Sequence, residues 1–332
     1  MVKGRVINLN GGTYKVLLED GSIKEYKARG KLRAKKVYEA NIKSESQKKN
    51  PTIMKTSPKV GDIVIIENDM IEDFLERKNS LIRPDIANVD QIILVFAAKE
   101  PNFSFTLLDL FLINLRRNNI KTIIVITKID LLDSKGLNDL KDSMNYYSKL
   151  GYDIYYMNNL TGEGKDEINE ILHDKISILT GQTGAGKSSL LNSIIPGFNL
   201  KTQEISSALG RGKHTTREIS LYPYLGGLIG DTPGFSKLDA GLIGLKYESL
   251  DSLFIEFKNY SCQFNDCNHL ENSLGCGIVK AVKDGLILES RYNNSLKFYR
   301  ICWFSISKFR LHPFRYNGWW ICSKYLFWTR FC

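Results

Sequence analysis

Long apolar runs are missing from this chain of 332 residues. A membrane-spanning helix needs about 20 consecutive apolar residues, and the first residues, MVKGRVINLNGG, also lack the apolar segment of a signal peptide. We therefore expect a cytoplasmic protein with no membrane partner. The composition, 43% hydrophobic and 25% charged, is typical of globular domains, and the length suits two or three of them. No internal repeat is visible.

Acidic residues are scarce at both ends of the chain. Residues 1–60 hold 15 Lys and Arg against 5 Asp and Glu, and residues 290–332 hold 8 basic residues and no acidic one. Because the whole chain has a net charge of only +10, its middle is acidic. This distribution indicates a polyanionic partner bound by one module, with chemistry in another. A solvated basic face is the alternative explanation.

Cysteine and histidine are also rare, yet half of the six cysteines fall in one cluster. The spacing is Cys262-x4-Cys267-x-His269-x6-Cys276. Without a secretory signal, such a set predicts a metal site before a disulfide. Three thiolates and one imidazole suit a closed tetrahedral zinc site, which would be structural because the short segment around it could scarcely fold on its own core. Unligated buried thiols are the alternative.

The first part of the chain has the pattern of a small β module. GRVINL, TYKVLL and IKEYKA are strand-like runs separated by the turns NGG and EDGS, and VGDIVIIE closes the region. Residues 35–57 are polar and lysine-rich, which predicts a mobile loop.

The pattern changes from residue 91 onward. QIILVFAA and KTIIVITK are continuous apolar runs, as expected of strands buried on both faces, and TLLDLFLINLRRNN between them has helical spacing. YDIYYMN, KISILT and GGLIGD are further strand candidates, with helical segments after 135, 163 and 188. This alternation predicts a doubly wound α/β domain.

GQTGAGKS, residues 181–188, fits the phosphate-loop pattern G-x-x-x-x-G-K-[ST] between a predicted strand and a predicted helix. Its glycines let backbone N–H groups point at phosphate oxygens, and the helix N-terminus adds its positive end. Lys187 would contact the β- and γ-phosphates, and the Ser188 hydroxyl would ligate Mg²⁺.

Two further motifs accompany the phosphate loop. In GDTPG, Asp231 would be the second magnesium anchor and the Gly234 N–H would reach a γ-phosphate, although an isolated D-T-P-G turn is the alternative. In TKID, Asp130 can accept both N1–H and N2–H of guanine, which adenine cannot match, while the stem of Lys128 can cover the ring. Together the motifs predict GTP rather than ATP.

The order of these motifs is unusual. The base-reading motif comes first, then the phosphate loop, then the acidic switch. The sheet of an ordinary GTPase can still be assembled if its original N- and C-termini are joined and the chain is opened at another position. The order therefore indicates a circularly permuted GTPase.

The sequence resembles the RsgA (YjeQ/YloQ) family of bacterial small-subunit biogenesis GTPases over roughly residues 1–300, through GKLR, VGDIV, ERKNSLIRPDIANVDQIILV, TKIDLL, GQTGAGKSSLLN, GRGKHTTRE, DTPGFS and the Cys/His module. The resemblance implies an OB-fold β-barrel that binds RNA, an α/β circularly permuted P-loop GTPase domain and a small zinc-binding domain. The expected bounds are 1–75, 76–245 and 246–300, followed by an atypical tail at 301–332. It also implies a monomer that binds the 30S subunit and its 16S rRNA, and whose GTP hydrolysis is stimulated by the 30S subunit during its late maturation.

The resemblance further assigns site residues. The guanine would be bound by Thr127, Lys128, Ile129 and Asp130, and the phosphates and Mg²⁺ by Gly181, Gln182, Thr183, Gly184, Ala185, Gly186, Lys187, Ser188 and Ser189. Thr215 or Thr216 would reach Mg²⁺, Thr216 being our choice. His214 would position the attacking water; its alternative role is a phosphate or RNA contact in a loop.

Some features depart from the family pattern. Thr127 replaces the usual asparagine, and Asn158-Asn159 replaces the usual Ser-Ala of the next guanine-contact loop. From residue 300 the chain holds all four Trp, six Lys and Arg and no acidic residue, in a pattern typical of neither helix nor strand. A shifted reading frame or an artificial, disordered terminus is favoured over an aromatic arm that stacks on RNA.

Two other functions remain open. One is a permuted GTPase that acts on the large ribosomal subunit, against which the N-terminal barrel and the Cys₃His set argue. The other is an RNA-binding adaptor that uses GTP as a conformational ligand with weak or no hydrolysis; the Asn158-Asn159 replacement and the unusual tail keep it open.

Overall fold

The computed structural model describes most of the chain in two compact units, Met1–Leu238 and Asp239–Cys332. The described residues are 1–33, 35–36, 53–54, 57–81, 85–116, 118–195, 219–231, 251–310, 315–316 and 319–320. The predicted loop at 35–57 therefore lies outside the described residues, except for two short strands and residue 57. No helix in the described part of the chain combines the length and the apolarity needed to cross a bilayer.

The first unit begins with a closed barrel. Its chain segment forms the strands β1 (Val2–Asn10), β2 (Thr13–Leu18), β3 (Ile23–Ala28), β4 (Lys35–Lys36), β5 (Ile53–Met54), β6 (Ile63–Glu67) and β7 (Met70–Phe74). Five of them pair in the order β1–β2–β3–β7–β6, and β6 pairs back onto β1 to close the barrel. Only β3 and β7 are parallel. This is the five-stranded Greek-key connectivity of an OB-fold, with Val6, Val16, Val64 and Ile71 fully buried inside it.

The remainder of the first unit is a doubly wound α/β domain. Its elements are β8 (Gln91–Ala97), α1 (Phe105–Arg116), β9 (Lys121–Thr127), α2 (Ser134–Lys149), β10 (Asp153–Tyr156), α3 (Lys165–Leu172), β11 (Ile176–Gly181), α4 (Lys187–Ile194), β12 (Ser220–Tyr224) and β13 (Gly227–Asp231). The strand order is β10–β9–β8–β11–β13–β12, parallel except for β12. Every residue of β8 and β11 is buried, which explains their continuous apolar runs.

The barrel and the α/β domain share one eleven-stranded sheet. Among the described residues, β1 and β12 connect the two parts of the sheet through one antiparallel pair, Asn8 with Ser220. The Asn8 side-chain amide also donates to the Ser220 hydroxyl oxygen at 2.8 Å. The barrel is thereby hydrogen-bonded to the strand that enters the β12–β13 hairpin.

Two strands of the eleven-stranded sheet, β7 and β12, were not predicted from the sequence. VGDIVIIE was expected to close the β module, but β7 follows it; its sequence MIEDF buries only Ile71 and so shows no clear alternation. β12 contains Pro223, which argues against a central strand. β12 tolerates it because, beyond the pair at Ser220, its outer edge has no strand partner in the described part of the sheet.

The second unit contains the helices α5 (Gly277–Lys283) and α6 (Glu289–Arg310), the short strands β14 (Arg315–Tyr316) and β15 (Trp319–Trp320), and two 3₁₀ turns. The backbone of α6 continues past residue 300 into the segment whose sequence pattern is typical of neither helix nor strand. A buried ion pair stabilises the start of this helix: the Arg291 guanidinium binds the Glu256 carboxylate and lies 5.0 Å above the centre of the Phe254 ring.

Candidate nucleotide site and metal cluster

The loop between β11 and α4 has the backbone of a phosphate-binding loop. Gly181 has φ +134°, and a Cβ there would lie 2.0 Å from the Val95 carbonyl oxygen of β8, so only glycine fits. Gly186 has φ +81° and precedes the first residue of α4. The loop is closed by a hydrogen bond from the Ala185 N–H to the Gln182 carbonyl at 3.2 Å.

The Lys187 side chain folds back onto the phosphate loop. Its ammonium group donates to the carbonyl oxygens of Gln182 at 2.8 Å and Gly181 at 3.2 Å. The hydroxyl groups of Ser188 and Ser189 follow in the first turn of α4, and both residues are half-buried. A fixed cation, a helix N-terminus and hydroxyl oxygens are therefore gathered at the C-terminal edge of the parallel sheet, which is where α/β domains bind ligands.

The TKID segment lies at the end of β9. Thr127 is the last, fully buried strand residue, and Lys128 adopts the left-handed region with φ 56°, which turns the chain into a short 3₁₀ turn. Ile129 is buried and anchors the turn, whereas the Asp130 carboxylate is exposed and accessible to a ligand. The Lys128 ammonium donates to the Glu100 carbonyl oxygen.

A direct hydrogen bond joins the two motifs. The Thr127 hydroxyl lies 2.6 Å from the Ala185 carbonyl oxygen and 3.2 Å from that of Phe96. The structure thus brings the base-reading segment and the phosphate loop together at one edge of the sheet, as the permuted order predicts.

The loop after β10 completes this edge. Asn158 is buried, and its side-chain oxygen accepts hydrogen bonds from the N–H groups of Leu160 at 2.9 Å and Thr161 at 3.2 Å. It therefore shapes the turn. The side-chain amide nitrogen of Asn159 lies beside the phosphate loop. A Cβ added to Gly186 would be only 3.3 Å from this nitrogen.

Sequence reasoning missed a further segment of the site, the loop after β8. A Cβ on Gly184 would lie 3.4 Å from the Pro101 ring, and the Gln182 side-chain amide donates to the Asn102 carbonyl at 3.2 Å. The signal was available, because this loop leaves a parallel strand at the same carboxyl edge as TKID.

The remaining predicted nucleotide residues are less fully defined. Asp231 ends β13, next to β11, but its side chain is outside the described part. His214, Thr215, Thr216 and Gly234 lie outside the described residues altogether.

The second unit brings the predicted Cys₃His set together. The ligand atoms of Cys262, Cys267, His269 and Cys276 all lie within 4.8 Å of one another. The His269 Nδ1 atom is 3.4 Å from the Cys262 sulfur and 3.5 Å from the Cys276 sulfur. The Tyr292 hydroxyl donates to the His269 carbonyl at 2.6 Å and holds that residue in place. The cluster could therefore hold a metal ion.

The thiols of the cluster differ electrostatically. Burial opposes ionisation of Cys262, but N–H groups of Gly277 and Ile278 point at its sulfur, and the net effect lowers the pKa of this thiol. Burial raises the pKa of the Cys276 thiol to about 12, although the Val279 N–H donates to its sulfur. Three sulfurs and one imidazole nitrogen at these separations are a donor set that fits a tetrahedral soft-metal site.

The phosphate loop and the T-K-x-D segment lie at the edge of one parallel sheet, and the strand that carries T-K-x-D comes earlier in the chain. This arrangement defines a circularly permuted P-loop GTPase. The chain belongs to the RsgA GTPase family, whose model matches residues 74–241. As a member of that family it is a GTP hydrolase. The expected fold class, a barrel followed by a permuted GTPase domain and a small Cys₃His module compatible with zinc, is confirmed.

Individual relatives cover nearly the whole chain. The small ribosomal subunit biogenesis GTPase RsgA of Onion yellows phytoplasma is 42% identical over 90% of this chain and 97% of its own length, and that of Halalkalibacterium halodurans is 41% identical over 90% and 96%. The crystal structure of YjeQ from Thermotoga maritima matches with a TM-score of 0.73 and 35% identity over 91% and 98% of the two chains. That of YloQ, a circularly permuted GTPase, matches with a TM-score of 0.68 and 31% identity over 92% and 96%.

Proposed function

We propose that this protein binds the small (30S) ribosomal subunit during its late maturation and hydrolyses GTP in response. The observation that carries the proposal is the similarity, over 90% of the chain, to relatives named small ribosomal subunit biogenesis GTPase. We place this activity in the cytoplasm and assign it to a monomer.

In the proposed site, Asp130 binds the Watson–Crick edge of guanine and Lys128 covers the ring, while Thr127 fixes their strand to the phosphate loop. The N–H groups of residues 181–189 surround the phosphates, and the Lys187 ammonium neutralises charge on them. Bound Mg²⁺ would supply further charge neutralisation, held by Ser188, Asp231 and one of Thr215 and Thr216, with Thr216 our choice. His214 orients the attacking water, and the Gly234 N–H binds the γ-phosphate.

The same proposal assigns the partner to the barrel and the metal module. The barrel exposes basic side chains on neighbouring strands, among them Lys15 on β2 and Lys24 and Lys27 on β3. These side chains suit electrostatic contact with the 16S rRNA backbone. We propose that the Cys₃His cluster binds one structural zinc ion, which orders the second unit for contact with the subunit.

The test is steady-state GTP hydrolysis by the full chain, alone, with purified 30S subunits and with purified 50S subunits, using ATP as the control nucleotide. We expect stimulation by 30S subunits that is specific for GTP and lost in Lys187→Ala. Lys135→Ala, which changes an exposed lysine at the start of α2, should behave like the unmodified chain. Stimulation by 50S subunits alone would support a large-subunit role instead, and GTP binding without turnover would support an adaptor.

A further inference from the structure

Three exposed apolar side chains surround the Cys₃His cluster. Phe264, Leu270 and Leu274 are 52%, 42% and 82% exposed. Each lies one or two residues along the chain from a member of the cluster, and the ligand atoms of the cluster are all within 4.8 Å of one another. The three side chains therefore belong to one small surface, which we call the apolar patch.

Backbone hydrogen bonds fix the chain that carries this patch. The Gln263 N–H donates to the Gly275 carbonyl at 2.9 Å, which brings together the two segments that carry the first and the last of the three side chains. The Ser273 N–H donates to the Leu270 carbonyl at 2.9 Å and closes the turn between them. Apolar side chains that a fixed backbone holds together at the surface are typical of an interaction site.

The charged side chains around the patch have one sign. The segment between Lys258 and Lys280 contains no basic residue, whereas Asp266 and Glu271 are both exposed. A zinc ion in the cluster would not change this sign, because the charge of three thiolates exceeds that of Zn²⁺. The patch therefore has anionic surroundings, which repel a nucleic-acid backbone and attract a cationic partner.

We propose that the apolar patch and its two carboxylates bind a basic protein of the 30S subunit rather than the rRNA. This rests on the proposed function, in which the second unit contacts the subunit. Apolar side chains of the partner pack on the patch, and its Lys or Arg side chains pair with Asp266 and Glu271 at the rim, as in other protein interfaces. The barrel with its exposed lysines meets rRNA, so the two parts of the chain recognise different components of one particle.

The experiment measures binding of the full, zinc-loaded chain to purified 30S subunits in the presence of a non-hydrolysable GTP analogue. The double variant Asp266→Lys with Glu271→Lys reverses the charge around the patch. It should bind about tenfold more weakly if the partner is a basic protein, whereas a contact with rRNA would make it bind more tightly. Asp284→Lys, which changes an exposed carboxylate outside this segment, is the control and should keep the original affinity.

Further variants test the apolar contact itself. Phe264→Ser with Leu274→Ser should weaken 30S binding at least about fivefold, because exposed apolar groups that become buried in an interface contribute strongly to affinity. Leu286→Ser, which changes a leucine that is 56% exposed elsewhere in the second unit, should bind normally. Benzoylphenylalanine in place of Phe264 should form a photo-cross-link to a 30S protein, which mass spectrometry identifies.

Zinc content and GDP affinity, unchanged in every variant, exclude unfolding as the cause of weaker binding. Tighter binding after charge reversal, or a cross-link to rRNA alone, would overturn the proposal in favour of a nucleic-acid contact. A cross-link to residues 300–332 of the same chain would overturn it in favour of an internal contact. If the unmodified chain does not bind 30S subunits, the proposed function itself fails. If it binds them and the patch variants bind equally well, only this inference fails.

Discussion

The Thr127 hydroxyl and the Ala185 carbonyl oxygen lie 2.6 Å apart, although 58 residues separate them in the chain. Both residues are fully buried. A buried carbonyl that loses its donor costs more than an ordinary hydrogen bond contributes. This contact therefore ties the end of the base-reading strand to the phosphate loop and makes one site of two distant motifs.

Thr127→Val should weaken this site at nearly constant volume. The Ala185 carbonyl would lose its donor in a dry environment, and we expect the free energy of unfolding to fall by about 1–3 kcal/mol, with weaker GDP binding. Chemical denaturation and GDP titration measure the two effects. Thr122→Val, near the other end of β9 and half-buried, is the matched control. Equal effects of the two substitutions would contradict the assignment.

Gly186→Ala should damage the nucleotide site more than its effect on stability suggests. The φ of +81° is unfavourable for alanine by about 1–2 kcal/mol, and the new Cβ would press on the Asn159 amide. We expect GDP affinity to fall at least about tenfold, measured by titration. Gly151→Ala supplies the comparison, because φ is +92° there but nothing lies within 4 Å of the added Cβ. It should lower stability and leave GDP binding unchanged.

Removal of the metal should unfold the region around the Cys₃His cluster. We expect elemental analysis of the purified chain to find stoichiometric zinc. Cys276→Ser should lose it, because a hydroxyl is a poor zinc ligand. Limited proteolysis should then cut between residues 251 and 290, where the metal contributes folding free energy. Cys302→Ser, outside the cluster, should retain the metal. A metal-free chain that resists proteolysis equally well would contradict a structural role.

Replacing only one partner of the buried ion pair between Arg291 and Glu256 should lower the free energy of unfolding strongly. Arg291→Ala leaves a carboxylate uncompensated in a protein interior, which costs about 3–5 kcal/mol. Hydrogen exchange of α5 and α6 should therefore accelerate strongly. The double variant Arg291→Met with Glu256→Gln should be less destabilised, since no charge remains buried. Lys121→Ala breaks an exposed pair with Asp153 and should change stability by less than about 1 kcal/mol.

Local patterns predicted most elements of the α/β domain. Apolar runs such as QIILVFAA correspond to fully buried strands, and the glycines of GQTGAGKS occupy backbone positions that require them. These features depend on neighbouring residues, so they are visible in a linear sequence. The Cys₃His set was equally visible, because its donors come from one short segment.

Contacts between distant segments could not be predicted in this way. β7 is defined by parallel pairing with β3 and antiparallel pairing with β6 rather than by its own alternation. The pairing of β1 with β12, through Asn8 and Ser220, joins segments more than 200 residues apart in the chain. The position of the Asn159 carboxamide beside Gly186 likewise depends on the fold and not on sequence spacing.

The permuted strand order has a consequence for protein synthesis. β8 and β9 pair with each other and are close together in the sequence, so they leave the ribosome before β11 is translated. Chains fold largely from the N-terminus as they emerge, so the barrel and the base-reading strands can form while no phosphate loop exists. A nascent chain of this protein therefore lacks the loop that would hold the phosphates of GTP until its central parallel strand, β11, and the following helix have been added.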